Sequence, residues 1–375
     1  MKSLFPAGKK KRKAGTKMEK LLLVSIVGAK NFGNRLQQYA LQRKIEELGF
    51  EVDLIARIDP PAKWIAKRLR DMLYRISGNK LYRARKLREK RFLERSDLFY
   101  KNLFYVPESQ VFRRDWSAYR FAVVGSDQIW RSPKPYSYLQ FIEASKRVSY
   151  APSFGFSAFP EKDVDAFRRG LMGIRALSCR EQEGCDLIAE LTGRKAEKVL
   201  DPTLLLTADD WVGIEKKPDF AVPERYMLVN MLGTLPPEYE GEIRRICRER
   251  KLQILNISDC TDPLHYAISP DEFIWLVHSA DTVCTDSFHT AAFSILFEKN
   301  LRVFRRRQER FQDMFGRLHD LLEPLGLLHV VYGDGDDFST DLSREAKAYL
   351  AAEREKSLRY LRESLSQTDK IRGAS

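Results

Sequence analysis

The sequence has no long apolar run and few cysteines. None of its apolar runs approaches the roughly 18 residues that a membrane-spanning helix needs, and the longest, Leu21 to Ala29, is typical of a buried strand. The five cysteines form no Cys-x-x-Cys pair, so we expect neither a disulfide framework nor a metal site. Gly-x-Ser-x-Gly, His-Glu-x-x-His and P-loop motifs are also missing. The sequence therefore predicts a cytoplasmic protein outside the common hydrolase and NTPase classes.

Acidic residues are scarce in two segments of a chain whose net charge is +13. Residues 1–17 contain seven Lys or Arg and no acid, whereas residues 57–101 contain fifteen Lys or Arg against five Asp or Glu. We interpret 1–17 as a disordered basic leader, which makes Met18 a second candidate for the start of the protein. Residues 62–95 are predicted to form a basic helical insertion.

This insertion has several open interpretations. Its apolar residues recur at helical spacing, as in the set Trp64, Ile65, Leu69, Met72, Leu73 and Ile76. Such a helix could simply expose its basic face to solvent. It could also contact the inner face of an anionic membrane peripherally, or bind a lipid-phosphate acceptor. No nucleic-acid partner is expected, because neither a recognisable motif nor interleaved aromatic residues accompany the charges.

Strands and helices alternate along most of the chain. The first strand is followed by a glycine-containing loop, a helix from Leu36 to Leu48 and a second strand at Val52–Ile55, which together form a βαβ unit. A Pro-rich break near 218–223 precedes a second alternating series. We therefore predict an α/β fold of two Rossmann-like doubly wound domains, 18–217 and 225–332, facing a cleft, with a C-terminal helix over 341–366. Ligands of such sheets bind at the carboxyl ends of the strands.

His289 is the first candidate for chemistry at this cleft. It follows a buried strand and lies near the start of a helix that Asp286 or Ser287 can cap. A histidine in this position is suited to general acid–base catalysis near neutral pH, while the helix start can hold an anion. A buried, hydrogen-bonded histidine beside a polar cap is the structural alternative.

Other polar residues also follow predicted strands. Arg180 suits bidentate capture of a carboxylate or phosphate, although pairing with Glu181 or another acid explains it equally well. Arg305 and Arg306 are candidates for anion binding or for a solvated face. The remaining candidates, which could bind a sugar acceptor or merely cap a turn, are Asn34, Asp127 and Gln128.

Several short motifs follow one another along the chain. They are Asn31–Asn34 with Gln37–Leu41, Val124–Trp130, Tyr150–Gly155, Ser178–Glu181, Val199–Leu205, Ser269–Phe273 and Asp286–Ser294. Taken in order, these motifs resemble those of the polysaccharide pyruvyl transferase family, and the resemblance covers roughly residues 20–330.

The resemblance implies a glycosyltransferase-B-like arrangement and a reaction. Pyruvate would pass from phosphoenolpyruvate, the donor substrate, to two hydroxyls of a cell-envelope or exopolysaccharide precursor. A lipid-linked precursor is one form that this acceptor could take, and no cofactor is expected. It further implies that His289 is the general acid–base and that Arg180 binds the donor. The alternatives are a nucleotide-sugar-dependent glycosyltransferase and a non-catalytic glycan-binding relative.

The sequence departs from the family at one motif. Better-understood members carry Arg-Leu-His where this chain has Ser287-Phe288-His289. The missing arginine is one that would contact phosphoenolpyruvate. We expect Ser287 and Phe288 to line the donor site, with Arg305 or Arg306 as candidate replacements for the lost charge.

Overall fold

The N-terminal domain is built on a parallel sheet of short, apolar strands. A computed structural model of the chain describes residues 18–27, 31–58, 61–307, 315–335 and 337–366, and the predicted leader 1–17 lies outside them. The strands occur in the order β3-β2-β1-β4-β5. They are β1 (Lys20–Val24), β2 (Glu51–Ile58), β3 (Leu103–Pro107), β4 (Tyr119–Val124) and β5 (Arg147–Ser149). Consecutive residues Leu21 to Val24 are fully buried, as expected for a parallel sheet covered on both faces.

Two further sheets follow. The short parallel pair β6 (Ser178–Cys179) and β7 (Glu197–Lys198) continues from the edge of the first sheet through a bridge between Val148 and Ala176. The C-terminal domain contains a second parallel sheet in the order β11-β10-β8-β9. Its strands are β8 (Tyr226–Asn230), β9 (Gln253–Asn256), β10 (Thr282–Thr285) and β11 (Asn300–Val303).

Helices alternate with these strands. Those that precede β8 are α1 (Phe32–Glu47), α2 (Pro61–Ile76), α3 (Lys80–Glu94), α4 (Ser96–Phe99), α5 (Glu108–Val111), α6 (Val164–Met172), α7 (Gln182–Thr192) and α8 (Ala208–Val212). Those that follow are α9 (Pro237–Arg250), α10 (Pro263–Tyr266), α11 (Pro270–Ser279), α12 (Phe288–Leu296), α13 (Gly316–Leu322) and α14 (Arg344–Ser366). The predicted α/β fold of two Rossmann-like domains facing a cleft is confirmed. Among the described helices, none combines the length and apolar character needed to cross a bilayer.

The two domains share a hydrophobic core. Phe32 of α1 stacks on Phe273 of α11, with ring centroids 4.6 Å apart. Trp211 of α8 contacts Phe293 of α12 edge-on at 4.9 Å. Because these rings are buried between the domains, the start of α1 is held against the C-terminal domain, which places the loop before α1 at the cleft.

The two long helices of the basic insertion differ in how they contact the rest of the protein. α3 packs against the C-terminal domain: Phe92 is fully buried, Arg91 pairs with Glu272 at 2.6 Å, and Arg95 pairs with Asp271 at 2.7 Å. The α2 helix instead presents apolar side chains to solvent, including Leu69 and Leu73. α3 is therefore a structural connection between the domains.

α14 also connects the domains. Ala346 and Leu350 near its start pack in the core shared with the C-terminal domain, whereas Leu361 lies in the core of the N-terminal sheet. The Tyr360 hydroxyl donates to the carbonyl of Ser149 at 3.0 Å, at the end of β5. This helix therefore restrains the relative position of the two sheets.

Candidate functional site

The carboxyl end of β10 leads directly into the start of α12 at the cleft. Ser287 is the N-cap of α12, its hydroxyl accepting from the backbone N–H of Thr290 at 3.5 Å. Asp286 has another role, because its two carboxylate oxygens accept from the backbone N–H groups of Leu232 and Gly233 at 2.7 and 2.8 Å. Of the two caps that the sequence allows, the structure uses Ser287, and Asp286 holds the loop that follows β8.

His289 lies in the first turn of α12 and is 7% exposed. Its ring packs directly against Gly33, where a Cβ atom would overlap Nδ1 of the imidazole. Its Nε2 atom lies 3.5 Å from Oδ2 of Asp201. The histidine therefore reaches across the cleft to the N-terminal domain, where it lies between the first turn of α1 and the buried carboxylate of Asp201.

Asp201 is the centre of this cluster. Oδ1 accepts from the backbone N–H and the hydroxyl of Thr203, at 3.0 and 2.7 Å, and Oδ2 accepts from Nη1 of Arg180 at 2.7 Å. Although burial acts to raise its pKa, His289, Arg180 and the Thr203 N–H together hold the pKa of Asp201 well below its ordinary value. A permanently ionised carboxylate thus orients both Arg180 and His289.

Arg180 is buried in contact with three acids and one aromatic ring. Besides Asp201, its Nη2 atom lies 3.6 Å from Asp127 and 3.8 Å from Glu181, and its guanidinium lies 4.6 Å from the centre of the Phe288 ring. Burial alone would lower its pKa, but Glu181, Asp201 and Asp127 raise the pKa of Arg180 above its usual range. Nε and Nη2 have no hydrogen-bond partner among the described residues. Arg180 is therefore charged, fixed in position, and retains N–H groups for an anion.

The two arginines predicted to replace the lost family arginine lie elsewhere. Arg305 pairs with Asp334 at 2.7 Å and is half-exposed. Arg306 is directed back to Asp286, with Nε 3.2 Å from Oδ2. Neither one is among the residues that line the cavities next to Arg180 and His289.

A third arginine, Arg317 in α13, lies beside Arg180 instead. Its Nη1 atom is 3.7 Å from Oδ1 of Asp127, the same oxygen that lies 3.6 Å from Nη2 of Arg180. Burial and the neighbouring Arg180 charge lower the pKa of Arg317 to about 10, so it is still a cation at neutral pH. The sequence reasoning missed Arg317, because it belongs to no motif and follows no strand directly.

The three predicted acceptor residues lie at different places around the cleft. Asp127 faces Arg180 and Arg317, and adopts a positive φ of 57°. Gln128 packs against Gly155, where a Cβ atom would come within 2.7 Å of its amide nitrogen. Asn34 lies in the first turn of α1, with its N–H bonded to the Asn31 side chain at 3.2 Å. The loop at Asn31–Asn34 therefore contains a helix cap, the structural alternative for this segment.

Two cavities flank the Phe288–His289 step. The first, partly open to solvent, is called here the arginine pocket. Its lining includes Arg180, Asp201, Phe288, Arg317 and Tyr349. The second is called the histidine pocket and is lined by Asn31, Gly33, Arg88, Asn230, Ser287 and His289, among others. Asp201 lines the arginine pocket and lies 3.5 Å from His289 of the histidine pocket, so one carboxylate faces a residue of each.

The two pockets place charged groups of both signs next to a histidine. The arginine pocket is lined by three cations, Arg180, Lys198 and Arg317, and by four carboxylates, Glu181, Asp201, Asp320 and Glu353, whereas His289 borders the other pocket. An anion in the arginine pocket would therefore bind at the guanidinium groups and away from these carboxylates. Within the part of the chain that the structure describes, no group of three or more His, Cys, Asp or Glu residues is placed to hold a metal ion. Fold and site together define a two-domain Rossmann-like α/β protein with a buried His–Asp–Arg cluster in its cleft.

Residues 31–307 match the family model of polysaccharide pyruvyl transferase. Because the match covers well over half of the chain, the protein belongs to the polysaccharide pyruvyl transferase family, and the resemblance seen in the sequence is confirmed. The family is one of transferases. A comparison with curated proteins found no match.

Several solved structures are similar in fold at low sequence identity. UDP-GlcNAc 2-epimerase from Methanocaldococcus jannaschii is 11% identical, with a TM-score of 0.47 and 93% of each chain covered. The Neisseria meningitidis UDP-GlcNAc 2-epimerase, bound to UDP-GlcNAc, is 10% identical, with a TM-score of 0.47, 91% of this chain and 99% of that chain covered. The heptosyltransferase II of E. coli lipopolysaccharide synthesis is 13% identical, with a TM-score of 0.31 and coverages of 92% and 99%.

Proposed function

We propose that this protein transfers pyruvate from phosphoenolpyruvate to two hydroxyls of a saccharide, forming a cyclic ketal and releasing phosphate. The observation that carries the proposal is the convergence of Arg180 and His289 on Asp201 in a member of this family. An anion-binding group and a proton-transfer group are thereby placed on either side of one buried carboxylate. We propose a cell-envelope or exopolysaccharide precursor as the acceptor.

The reaction requires a proton donor and a proton acceptor in turn. Protonated His289 delivers its proton to the methylene carbon of phosphoenolpyruvate, and the central carbon becomes electrophilic. A sugar hydroxyl oxygen then forms a bond to that carbon, and the neutral imidazole takes the hydroxyl proton. A second hydroxyl forms the other C–O bond as the bond to phosphate breaks, and its proton leaves with the phosphate. Asp201 stabilises the imidazolium and orients the ring, since its own pKa stays low.

The donor has two anionic groups, a carboxylate and a phosphate, and the arginine pocket has two guanidinium groups. Arg180 has Nε and Nη2 without hydrogen-bond partners among the described residues, and Arg317 lines the same cavity. Four carboxylates, those of Glu181, Asp201, Asp320 and Glu353, line this cavity as well, so the donor must bind at the guanidinium groups against their repulsion. In this proposal Arg317 supplies the positive charge that the family's arginine would bring at Ser287.

Calorimetric titration with phosphoenolpyruvate, beside UDP- and GDP-sugars, tests the proposed donor. We expect saturable binding of phosphoenolpyruvate and none of the nucleotide sugars. Phosphate release should then appear when a panel of methyl hexopyranosides and polyprenyl-phosphate-linked sugars is added. Binding of a nucleotide sugar instead would make the protein a glycosyltransferase. Binding of no donor by folded protein would favour a non-catalytic glycan-binding relative.

Arg317→Met tests the second cation of the donor site. Hydrogen bonds to charged groups contribute about 1.5–3 kcal/mol, so we expect phosphoenolpyruvate affinity to fall about 10- to 100-fold in the same titration. Arg305→Met is the matched control, because Arg305 pairs with Asp334 at the surface. A change of less than twofold for Arg317→Met would place it outside the donor site, and a large loss for Arg305→Met would support the replacement that the sequence suggested.

A further inference from the structure

The α2 helix carries a continuous apolar face that no described residue covers. Ile65, Leu69, Met72, Leu73 and Ile76 follow one another at spacings of four, three, one and three residues, which places them on one side of the helix. Each of them is between 52% and 72% exposed. A monomeric protein in water rarely leaves so contiguous an apolar surface open unless it binds something.

The charges around this face restrict what can cover it. Arg68 and Arg70 of α2 are exposed, and Asp71 is engaged by Lys86 of α3 at 3.0 Å. The whole stretch from residue 57 to residue 101 has fifteen basic residues against five acidic ones. A second copy of the chain would bring the same positive charge to the contact, which opposes self-association through this face. An apolar stripe bordered by arginines instead suits the surface of an anionic bilayer.

The neighbouring helix α3 holds α2 in an exposed position, as a membrane-binding surface requires. Whereas α2 is exposed, α3 is anchored to the C-terminal domain through the buried Arg88, whose Nε donates to the carbonyl of Tyr266 at 2.7 Å. The insertion therefore presents α2 from a fixed base. Arg88 also lines the histidine pocket, so α2 and that pocket are joined through one helix.

We infer that α2 docks on an anionic membrane, with its apolar face between the lipid acyl chains and its arginines at the head groups. If the proposed function holds, docking brings the histidine pocket to a membrane-borne acceptor, and the saccharide that receives pyruvate is lipid-linked. The membrane contact itself does not depend on the identity of the donor.

Flotation of the full chain with vesicles tests this docking surface. The probes are vesicles of phosphatidylcholine alone and of phosphatidylcholine with 30% phosphatidylglycerol. We expect wild-type protein to float with the anionic vesicles and much less with the neutral ones. The double variant Leu69→Ser/Leu73→Ser should bind the anionic vesicles at least tenfold more weakly, because two side chains no longer enter the bilayer.

Met172→Ser/Leu264→Ser is the matched control, since these side chains are 54% and 59% exposed and lie outside the insertion. This control should float like wild type. Unchanged flotation of Leu69→Ser/Leu73→Ser would assign binding to basic residues elsewhere, including 1–17, and would overturn the inference. A wild-type dimer that this variant dissociates, without any vesicle binding, would also overturn it in favour of a second copy.

Titration with phosphoenolpyruvate separates this inference from the proposed function. Retention of donor binding by Leu69→Ser/Leu73→Ser would show that the variant is folded, so a loss of flotation then reports on α2 alone. Failure of wild-type protein to bind phosphoenolpyruvate, with flotation intact, would remove the proposed function and leave the membrane contact standing.

Discussion

Replacing His289 by glutamine is expected to lower phosphate release from phosphoenolpyruvate by about 10²- to 10⁴-fold, the usual contribution of a positioned general acid–base. Glutamine keeps a polar side chain of similar reach beside Gly33 and Asp201 but cannot exchange a proton near neutral pH. Because the donor cations line the other pocket, phosphoenolpyruvate affinity should change much less than turnover. Turnover with the acceptor found in the panel and calorimetric titration give the two quantities.

His278→Gln is the matched control for this variant. Its Nδ1 atom lies 2.9 Å from a carboxylate oxygen of Glu215, so it too is a histidine paired with an acid, but it is more than one-third exposed and lines neither pocket. It should retain wild-type turnover. If His289→Gln kept more than about a tenth of wild-type turnover, His289 would be a structural histidine, the alternative that its position beside the cap of α12 also allows.

Asp201→Asn is expected to destabilise the folded protein by about 3–5 kcal/mol, the usual effect of breaking a buried ion pair. The amide cannot offset the Arg180 charge at 2.7 Å, and only the more distant Asp127 and Glu181, at 3.6 and 3.8 Å, would still face the buried guanidinium. Turnover should also fall, because the neutral amide no longer stabilises a protonated His289. Denaturant unfolding gives the stability, and phosphate release measured under native conditions gives the turnover.

Asp334→Asn provides the comparison, because Asp334 pairs with Arg305 at the same 2.7 Å separation but at the surface. An exposed pair contributes about 0–1 kcal/mol. The pKa of Asp201 is depressed in the folded protein, so its contribution is complete above the unfolded pKa of about 3.9 and decreases as the pH falls below it. The stability difference between wild type and Asp201→Asn should therefore shrink as the pH falls below 4. Equal destabilisation by the two variants would contradict a special role for Asp201.

Local patterns were sufficient to predict the fold and one part of the site. Apolar strands followed by helical periodicity identified two α/β domains, because sheets covered on both faces need continuous apolar strands such as Leu21 to Val24. Polar residues at strand ends identified His289 and Arg180, since the carboxyl ends of parallel strands converge. The sequence did not predict the role of Asp201, although this residue lies in the Val199–Leu205 motif. No local signal distinguishes an acid that caps a turn from one that orients another side chain.

The arginines of the proposed donor site could not all be predicted from local sequence patterns. Arg305 and Arg306 follow β11 directly and were the expected replacements for the family arginine, yet Asp334 and Asp286 hold them elsewhere. Arg317 reaches Arg180 only because α13 packs against the cleft. Whether an arginine lines a cavity depends on the acids with which it pairs on other helices and strands. These ion pairs form between residues that are distant along the chain, so no fixed sequence spacing predicts them.

The basic insertion shows the same division between what a sequence and a structure determine. By itself the sequence determined that helices over 62–95 would be amphipathic and basic, since both properties are sums over neighbouring residues. Only the tertiary structure decided that α3 is anchored to Glu272 and Asp271 while the apolar face of α2 stays open. Likewise, the sequence determined the order of the strands and motifs along the chain, and only the packing of two domains around a shared core brought Arg180, Asp201 and His289 together. Burial and charge pairing act between elements that are distant along the chain, so they are decided by the fold and not by local pattern.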